Sequence, residues 1–219
     1  MPLFNFLIHR INVNIAKSLV CQKRVVDLGC GTAPYKAQIL KTAEKYIGMD
    51  WPNSLHSPEN VDIFASLNQA LPLKNGCADG VVSFQVMEHL REPEFFLREA
   101  YRILKPGGKL FLTVPFQWHL HESPHDYFRY TKFGLEYLIK NAGFSEIKVK
   151  ANTGFWTTWV LKFNYHTHRY TSICKPWSYL FGLPLVPIWV LGQLFALCLD
   201  GVDRHEEETA SYTAEALKV

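Results

Sequence analysis

The chain has 219 residues, 48% of them apolar and 20% charged, enough to bury a substantial core with an ordinary globular balance. A formal net charge of +3 with no basic run argues against a nucleic-acid partner, whose footprint is a dense basic patch. Five scattered cysteines (Cys21, Cys30, Cys77, Cys174, Cys198), odd in number and without a C-x-x-C pair, argue against a disulfide framework and fit reduced, cytosolic thiols.

Leu7, Ile11, Ile15 and Leu19 fall at helical spacing and predict an amphipathic helix over 5–20. The first ten residues lack a basic segment ahead of an apolar one and a small-residue cleavage site. No signal peptide is expected, and the expected location is the cytoplasm. Residues 24–28 read as a β-branched first strand that runs into the glycines Gly29 and Gly31. A helix is expected over 34–43, a short strand over 46–50 ending in Asp50, a Pro/Asn/Ser-rich loop over 51–60 and a third strand over 61–65. After a turn at 71–76 come a strand at 78–84 and a helix at 93–104, with Pro93 in its first turn. Residues 105–108, Lys-Pro-Gly-Gly, stop that helix before a strand at 109–115 that is apolar on both faces. A helix at 131–141 and an alternating strand at 146–150 follow. Repeated βαβ units imply a parallel, doubly wound sheet with right-handed crossovers.

Residues 155–200 break this rhythm. The stretch 180–199 is nearly uncharged and is interrupted by Gly182, Pro184, Pro187 and Gly192. Its apolar part after Pro187 is shorter than the roughly 20 residues of a spanning helix. Two readings fit: a buried helix pair, or a hairpin over 177–199 dipping into one membrane leaflet. In the second, Lys162, His168, Arg169, Lys175 and Trp177 would lie at the headgroups. The tail at 211–219 reads as a last strand.

The glycine turn, Val25-Val26-Asp27-Leu28-Gly29-Cys30-Gly31-Thr32, follows a strand, and Asp50 comes about twenty residues later, the offset of an acid that binds ribose hydroxyls. With Leu71-Pro72-Leu73, Met87-Glu88-His89-Leu90 and Leu104-Lys105-Pro106-Gly107-Gly108 in order, residues 22–150 resemble the class I S-adenosylmethionine-dependent methyltransferases of the type 11 kind. The resemblance implies a three-layer, Rossmann-like, seven-stranded sheet whose last strand, over 209–219, is antiparallel and lies between strands five and six. Residues 155–200 become an insertion in a single domain of 1–219. It also implies S-adenosylmethionine as cofactor. Asp27 would meet its amino group, and the backbone at Gly29, Cys30 and Gly31 would approach it closely. Asp50 would accept from the ribose hydroxyls, while Gln85 and Met87 would lie near the adenosine. The family often carries an acid before the Leu-Pro turn; this chain has Ser66, then Leu67, which leaves the adenine contact to a serine oxygen or to backbone groups. A nicotinamide site is disfavoured because Pro34 stands where the third glycine of G-x-G-x-x-G would be.

The loop at 116–131 gathers three histidines, acids, an arginine and aromatics. His125 or His121 is expected as the base, with Asp126 orienting it or acting as base itself. His89, Trp118, Tyr127, Arg129 and Tyr130 are expected to line the acceptor site, Arg129 suiting a phosphate or carboxylate. Duller roles are open: Glu88 and His89 as loop caps, and Thr131 as a helix cap. His119, His121, Glu122 and His125 have loosely metal-like spacing, but nothing fixes a geometry and no metal is expected. The loop resembles that of small bacterial methyltransferases encoded with surface-polysaccharide enzymes. This implies O-methylation of a sugar hydroxyl or other small-molecule acceptor, with the enzyme peripheral at the inner face of the membrane. The absence of an Asn-Pro-Pro-aromatic motif after strand four argues against a nucleic-acid amino-methyltransferase. The alternative is a non-catalytic, membrane-associated protein that keeps the fold.

Overall fold

A computed structural model describes residues 6–18, 23–54, 56–173, 178–203 and 205–219; Cys21, Cys174, Lys175 and Trp177 lie outside them. The chain divides into two compact units. The larger comprises residues 13–116, 120–150 and 212–219, and the smaller the described part of 1–12 with 117–119 and 151–211.

The larger unit is built on a seven-stranded sheet of order β3-β2-β1-β4-β5-β7-β6. Its strands are β1 (Arg24–Leu28), β2 (Lys45–Asp50), β3 (Ile63–Phe64), β4 (Ala78–Phe84), β5 (Leu104–Pro115), β6 (Ser145–Ala151) and β7 (Ser211–Leu217). β1 pairs in parallel with β2 (Val25 opposite Tyr46) and with β4 (Val26 opposite Val81), and β4 pairs in parallel with β5. β7 is antiparallel. Lys218 exchanges backbone hydrogen bonds with Gly107 and Gly108, and Ser145 and Asn152, at opposite ends of β6, meet Leu217 and Ser211. Both faces of the sheet's middle are covered, so residues 25–28 and 110–115 are buried without alternation, as in a central parallel strand. Val25, Tyr46, Val82, Phe111 and Ile39 form one core with Ala16 of α1 (Phe6–Ser18).

Three expectations from sequence are corrected here. The helix expected over 34–43 is one turn, α2 (Lys36–Ile39). Ala33 takes the left-handed conformation, and Lys41 and Thr42 bond three residues back, tightening the chain out of α-geometry. α3 (Pro93–Ile103) passes directly into β5. The Pro-Gly-Gly that should separate them is a bulge inside the strand, with a register shift opposite Ala78 and Gly80 and Gly107 at φ +77°. α4 (Lys132–Asn141) starts one residue late because Thr131 is its cap, its Oγ1 accepting from the Gly134 N–H at 3.1 Å.

The smaller unit contains α5 (Phe155–Ile173) and α6 (Ser178–Val202), which pack on each other. α6 runs unbroken through Pro184 and Pro187, which lie in its first three turns. The helices are antiparallel. Asp200, near the C-terminus of α6, accepts the N–H groups of Gly154, Trp156 and Thr157 at the start of α5. Their seam is polar. Asn164 Nδ2 donates to the Trp189 carbonyl, Trp189 Nε1 to Thr167, and Gln193 Oε1 accepts from the Leu7 N–H.

Candidate active site

The glycine turn leaves β1 at the C-terminal edge of the sheet. Gly29 and Gly31 have φ of +80° and +53°, a conformation that favours glycine. The space a Cβ would take is already filled by protein. At Gly29 it would lie 2.4 Å from Val86 Cγ2, and at Gly31 3.2 Å from His56 Cδ2. The two glycines thus let the turn nest against Val86 and His56. The Gly29 and Cys30 N–H groups both donate to the Met49 carbonyl. The Cys30 thiol is buried, and that burial, with Asp27 nearby, pushes it up to about 12, so it stays protonated.

Asp27 is buried in β1. Tyr46, which pairs on β2 with Val25 two residues before Asp27, donates its hydroxyl to Asp27 Oδ2 at 2.6 Å, while Oδ1 is buried with no hydrogen-bond partner. Burial raises the carboxyl to about 7 against the pull of the Tyr46 hydrogen bond, and Asp50 adds to the rise. An orphaned buried acceptor beside a second acid is a place for a cation. Asp50 ends β2. Its Oδ2 accepts the Gly31 N–H at 2.9 Å and its Oδ1 the Trp51 N–H at 2.8 Å, leaving further lone pairs on each oxygen. A pocket opens beside it, lined by Asp50, Trp51, Ser54, His56, Val61 and Phe64. An ammonium at Asp27, ribose hydroxyls at Asp50 and a planar base in this pocket match the donor set of S-adenosylmethionine.

Other expected cofactor residues are placed differently. Gln85, the residue after β4, is left-handed and donates Nε2 to Thr113 Oγ1. Met87 is 1% exposed and offers no open face to adenine. Ser66 Oγ accepts the Asn68 N–H, and Leu67 is buried.

The loop at 120–130 folds over the turn that follows β4. The N–H groups of Tyr127 and Phe128 donate to the Glu88 carbonyl, and the buried Tyr130 hydroxyl donates to the Met87 carbonyl. Asp126 is the loop's internal anchor. Arg129 grips it with two nitrogens at 2.6 and 2.7 Å, and the His121 N–H donates to it at 2.9 Å. The Arg129 hydrogen bonds hold the Asp126 carboxyl down at about 2. Asp126 is therefore no base, and Arg129 is committed inside the loop. His121 Nδ1 lies 3.3 Å from Asp126 Oδ2, so this acid orients His121. His125 lies edge-on to Trp51, the residue after Asp50, with ring centroids 5.4 Å apart. His56 faces Glu122 at 3.6 Å. The cofactor turn and the loop thus form one site within the larger unit. Trp118 belongs to the smaller unit, where it lies near Tyr165 with His119 stacked on the same ring.

Sequence reasoning missed Tyr46, Trp51 and His56, and left Glu88 open between a loop cap and a part in the site. Glu88 is completely buried in the turn after β4, its two oxygens have no hydrogen-bond partner, and burial raises it to about 8. Only the position next to the Met87 contact hinted at it.

Residues 26–112 match the family described as a methyltransferase domain. A protein of Mycolicibacterium smegmatis named "Probable S-adenosylmethionine-dependent methyltransferase" is 33% identical over 96 residues, 42% of this chain and 37% of that protein. A ubiquinone biosynthesis O-methyltransferase of Xanthomonas oryzae is 28% identical over 127 residues, 53% of this chain and 51% of that protein. The matched part of the chain therefore spans no more than about half the length of these curated relatives. Among solved structures, a SAM-dependent methyltransferase of Thermotoga maritima, described as a possible histamine N-methyltransferase, shares the fold. Its TM-score is 0.61 at 18% identity, over 98% of this chain and 93% of that one. The part of the chain that carries the glycine turn, β2 and β4 thus resembles the methyltransferase-domain family, and the whole shares the fold of S-adenosylmethionine-dependent methyltransferases.

Proposed function

We propose that the chain methylates a hydroxyl oxygen of a small-molecule acceptor, a sugar hydroxyl of a surface glycan being the preferred class. The observation that carries this reading is the orphaned Asp27 Oδ1 beside Asp50, linked through Trp51 to the histidine loop. Bound S-adenosylmethionine would supply a methyl group on a sulfonium, already a good leaving group, so the protein's task is mainly positioning. Asp27 holds the ammonium, Asp50 the ribose, and the pocket beside Trp51 the base. An oxygen acceptor needs its proton removed. With Asp126 held ionised by Arg129 and His121 tied to Asp126, His125 is the residue that takes it. Oxygen as the accepting atom is supported by the relative whose name includes O-methyltransferase.

Peripheral contact with the inner face of the membrane through residues 177–199 belongs to the same reading, supported by the apolar exterior of α6. A second reading, a non-catalytic protein that keeps the fold, is favoured by one observation: the Ser66 oxygen is occupied by a local bond to Asn68.

The test is incubation of the protein with methyl-labelled S-adenosylmethionine and a cell extract, followed by mass spectrometry. A labelled O-methyl product, lost in Asp50→Ala, is expected. Cofactor binding without a labelled product supports the second reading, and no cofactor binding overturns the first.

A further inference from the structure

A fully buried carboxyl whose oxygens have no hydrogen-bond partner is costly, and a cation that binds its ionised form offsets that cost. Glu88 is such a group. The polar atoms facing its Oε1 are His89 Nε2 at 3.7 Å and His121 Nε2 at 3.9 Å, too far for hydrogen bonds. Among the described residues these three donor atoms all lie within 4.8 Å of one another. Donors about 2.1 Å from a tetrahedral ion stand roughly 3.4 Å apart, so side-chain shifts of under about 1 Å would close the group on one.

The far side of each imidazole is fixed. His89 Nδ1 lies 2.6 Å from the His125 carbonyl. A carbonyl only accepts, so Nδ1 carries the proton and the Nε2 lone pair faces Glu88. His121 Nδ1 faces Asp126, itself locked by Arg129. A carbonyl or carboxylate behind each imidazole is the support that sets tautomer and ring angle in metal sites. Glu122 Oε2, 3.8 Å from His89 Nε2 at the exposed rim, is in place as a fourth donor.

We propose that Glu88, His89 and His121 form a binding site for one divalent transition cation, Mn²⁺ or Zn²⁺, whose open positions take the acceptor's oxygen. Two imidazoles and a carboxylate suit such an ion, and a coordinated hydroxyl loses its proton more readily than a free one. This revises the metal-free expectation from the sequence. The spacing within the loop at 119–125 pointed to the wrong set, because two of the ligands come from the turn after β4. The role in holding the acceptor rests on the methyl-transfer reading; the cation site does not.

The test titrates the chelator-treated full chain with Mn²⁺ by electron paramagnetic resonance and with Zn²⁺ by calorimetry. One equivalent is expected. Glu88→Gln and His121→Ala should weaken binding at least about tenfold, and Asp126→Asn, acting through His121, by about 10–100-fold. His205→Ala, in an exposed ion pair with Asp203, should leave it unchanged. Circular dichroism and S-adenosylmethionine affinity like the wild type's establish that a variant is folded; if Glu88→Gln is not, His121→Ala carries the test. Absence of saturable binding at one equivalent, or equal binding by folded Glu88→Gln and His121→Ala, overturns the site. Methyl transfer that persists at full rate in chelator overturns the acceptor role. Loss of S-adenosylmethionine binding by the wild type strikes the methyl-transfer reading alone and leaves the metal titration standing.

Discussion

Asp27 carries a prediction that its surroundings determine in sign. Its carboxyl titrates at about 7 because it is buried, and it must be ionised to hold an ammonium. Affinity for S-adenosylmethionine should therefore rise with pH through about 7, falling about tenfold per unit below it, and level off above about 8. Calorimetry from pH 6 to 8.5 checks this; a flat profile for the wild type would reject Asp27 as the ammonium partner. Asp27→Asn should bind weakly and without pH dependence. The ligand-free protein should respond in the opposite direction. A carboxyl raised above its unfolded 3.8 adds most to stability while neutral and loses that contribution as pH rises toward 7. Gly29→Ala should destabilise by about 1–3 kcal/mol, from strain at φ +80° and the overlap with Val86, seen as a lower melting temperature. Adding Val86→Ala should recover only part of that loss, because the backbone strain stays. Asp27, Asp50 and the glycines were legible in the sequence because their spacing is set by one strand, one turn and the next strand. Glu88 was not. In a single helical turn, sequence does not say whether Met87, Glu88 or His89 faces inward, and the histidine it meets lies on a separate loop.

Strands were more legible than helices, and both were more legible than the loop between β5 and α4. Central strands announce themselves by continuous apolar runs, so β1, β4 and the second half of β5 fall where expected. The shortening of α2 rests on three-residue bonds at Lys41 and Thr42, and the bulge at Gly107 on a bond to the distant Lys218 carbonyl; composition encodes neither. Pro184 and Pro187 read as an interruption, yet α6 runs through both, each removing one i→i−4 hydrogen bond without ending the helix. The loop's aromatic and histidine content correctly marked a site, but its residues divided. Asp126 and Arg129 became its internal brace, and Trp118 went to the other unit. The brace is testable. Arg129→Lys keeps the charge and loses the two-pronged grip. It should leave S-adenosylmethionine affinity within about twofold, since the cofactor groups lie on β1 and β2, while the loop becomes faster to proteolyse. Unchanged proteolysis would show that Asp126 does not need the fork.

For the molecule as a whole, the two units use polarity in opposite ways. The larger buries its apolar residues in the usual manner. The smaller places Asn164, Gln193 and Asp200 between its helices and leaves apolar side chains outside: residues 183–202 have a mean hydropathy of 1.8 and are only 17% buried, with Leu183 at 77% and Phe195 at 65% exposure. A helix of this length and composition is long enough to cross a membrane, and equally able to lie along one. The aromatic row Trp156, Trp159 and Phe163 on α5 is exposed in the same unit and adds residues that favour a lipid–water boundary. Exposed apolar area on this scale marks an interaction surface, and uncharged side chains with aromatic neighbours favour lipid over a charged protein partner. The full chain should therefore float with vesicles of mixed zwitterionic and anionic phospholipid. Leu191→Glu combined with Phe195→Glu, two exposed positions on α6, should shift it to the unbound fraction, because each buried charge costs far more than the leucine or phenylalanine gained. S-adenosylmethionine affinity should not change in that variant, since every group assigned to the cofactor lies in the larger unit. Equal flotation of wild type and double variant, or of the wild type and a chain lacking 177–199, would remove the membrane from the proposed function and leave the methyl-transfer site untouched.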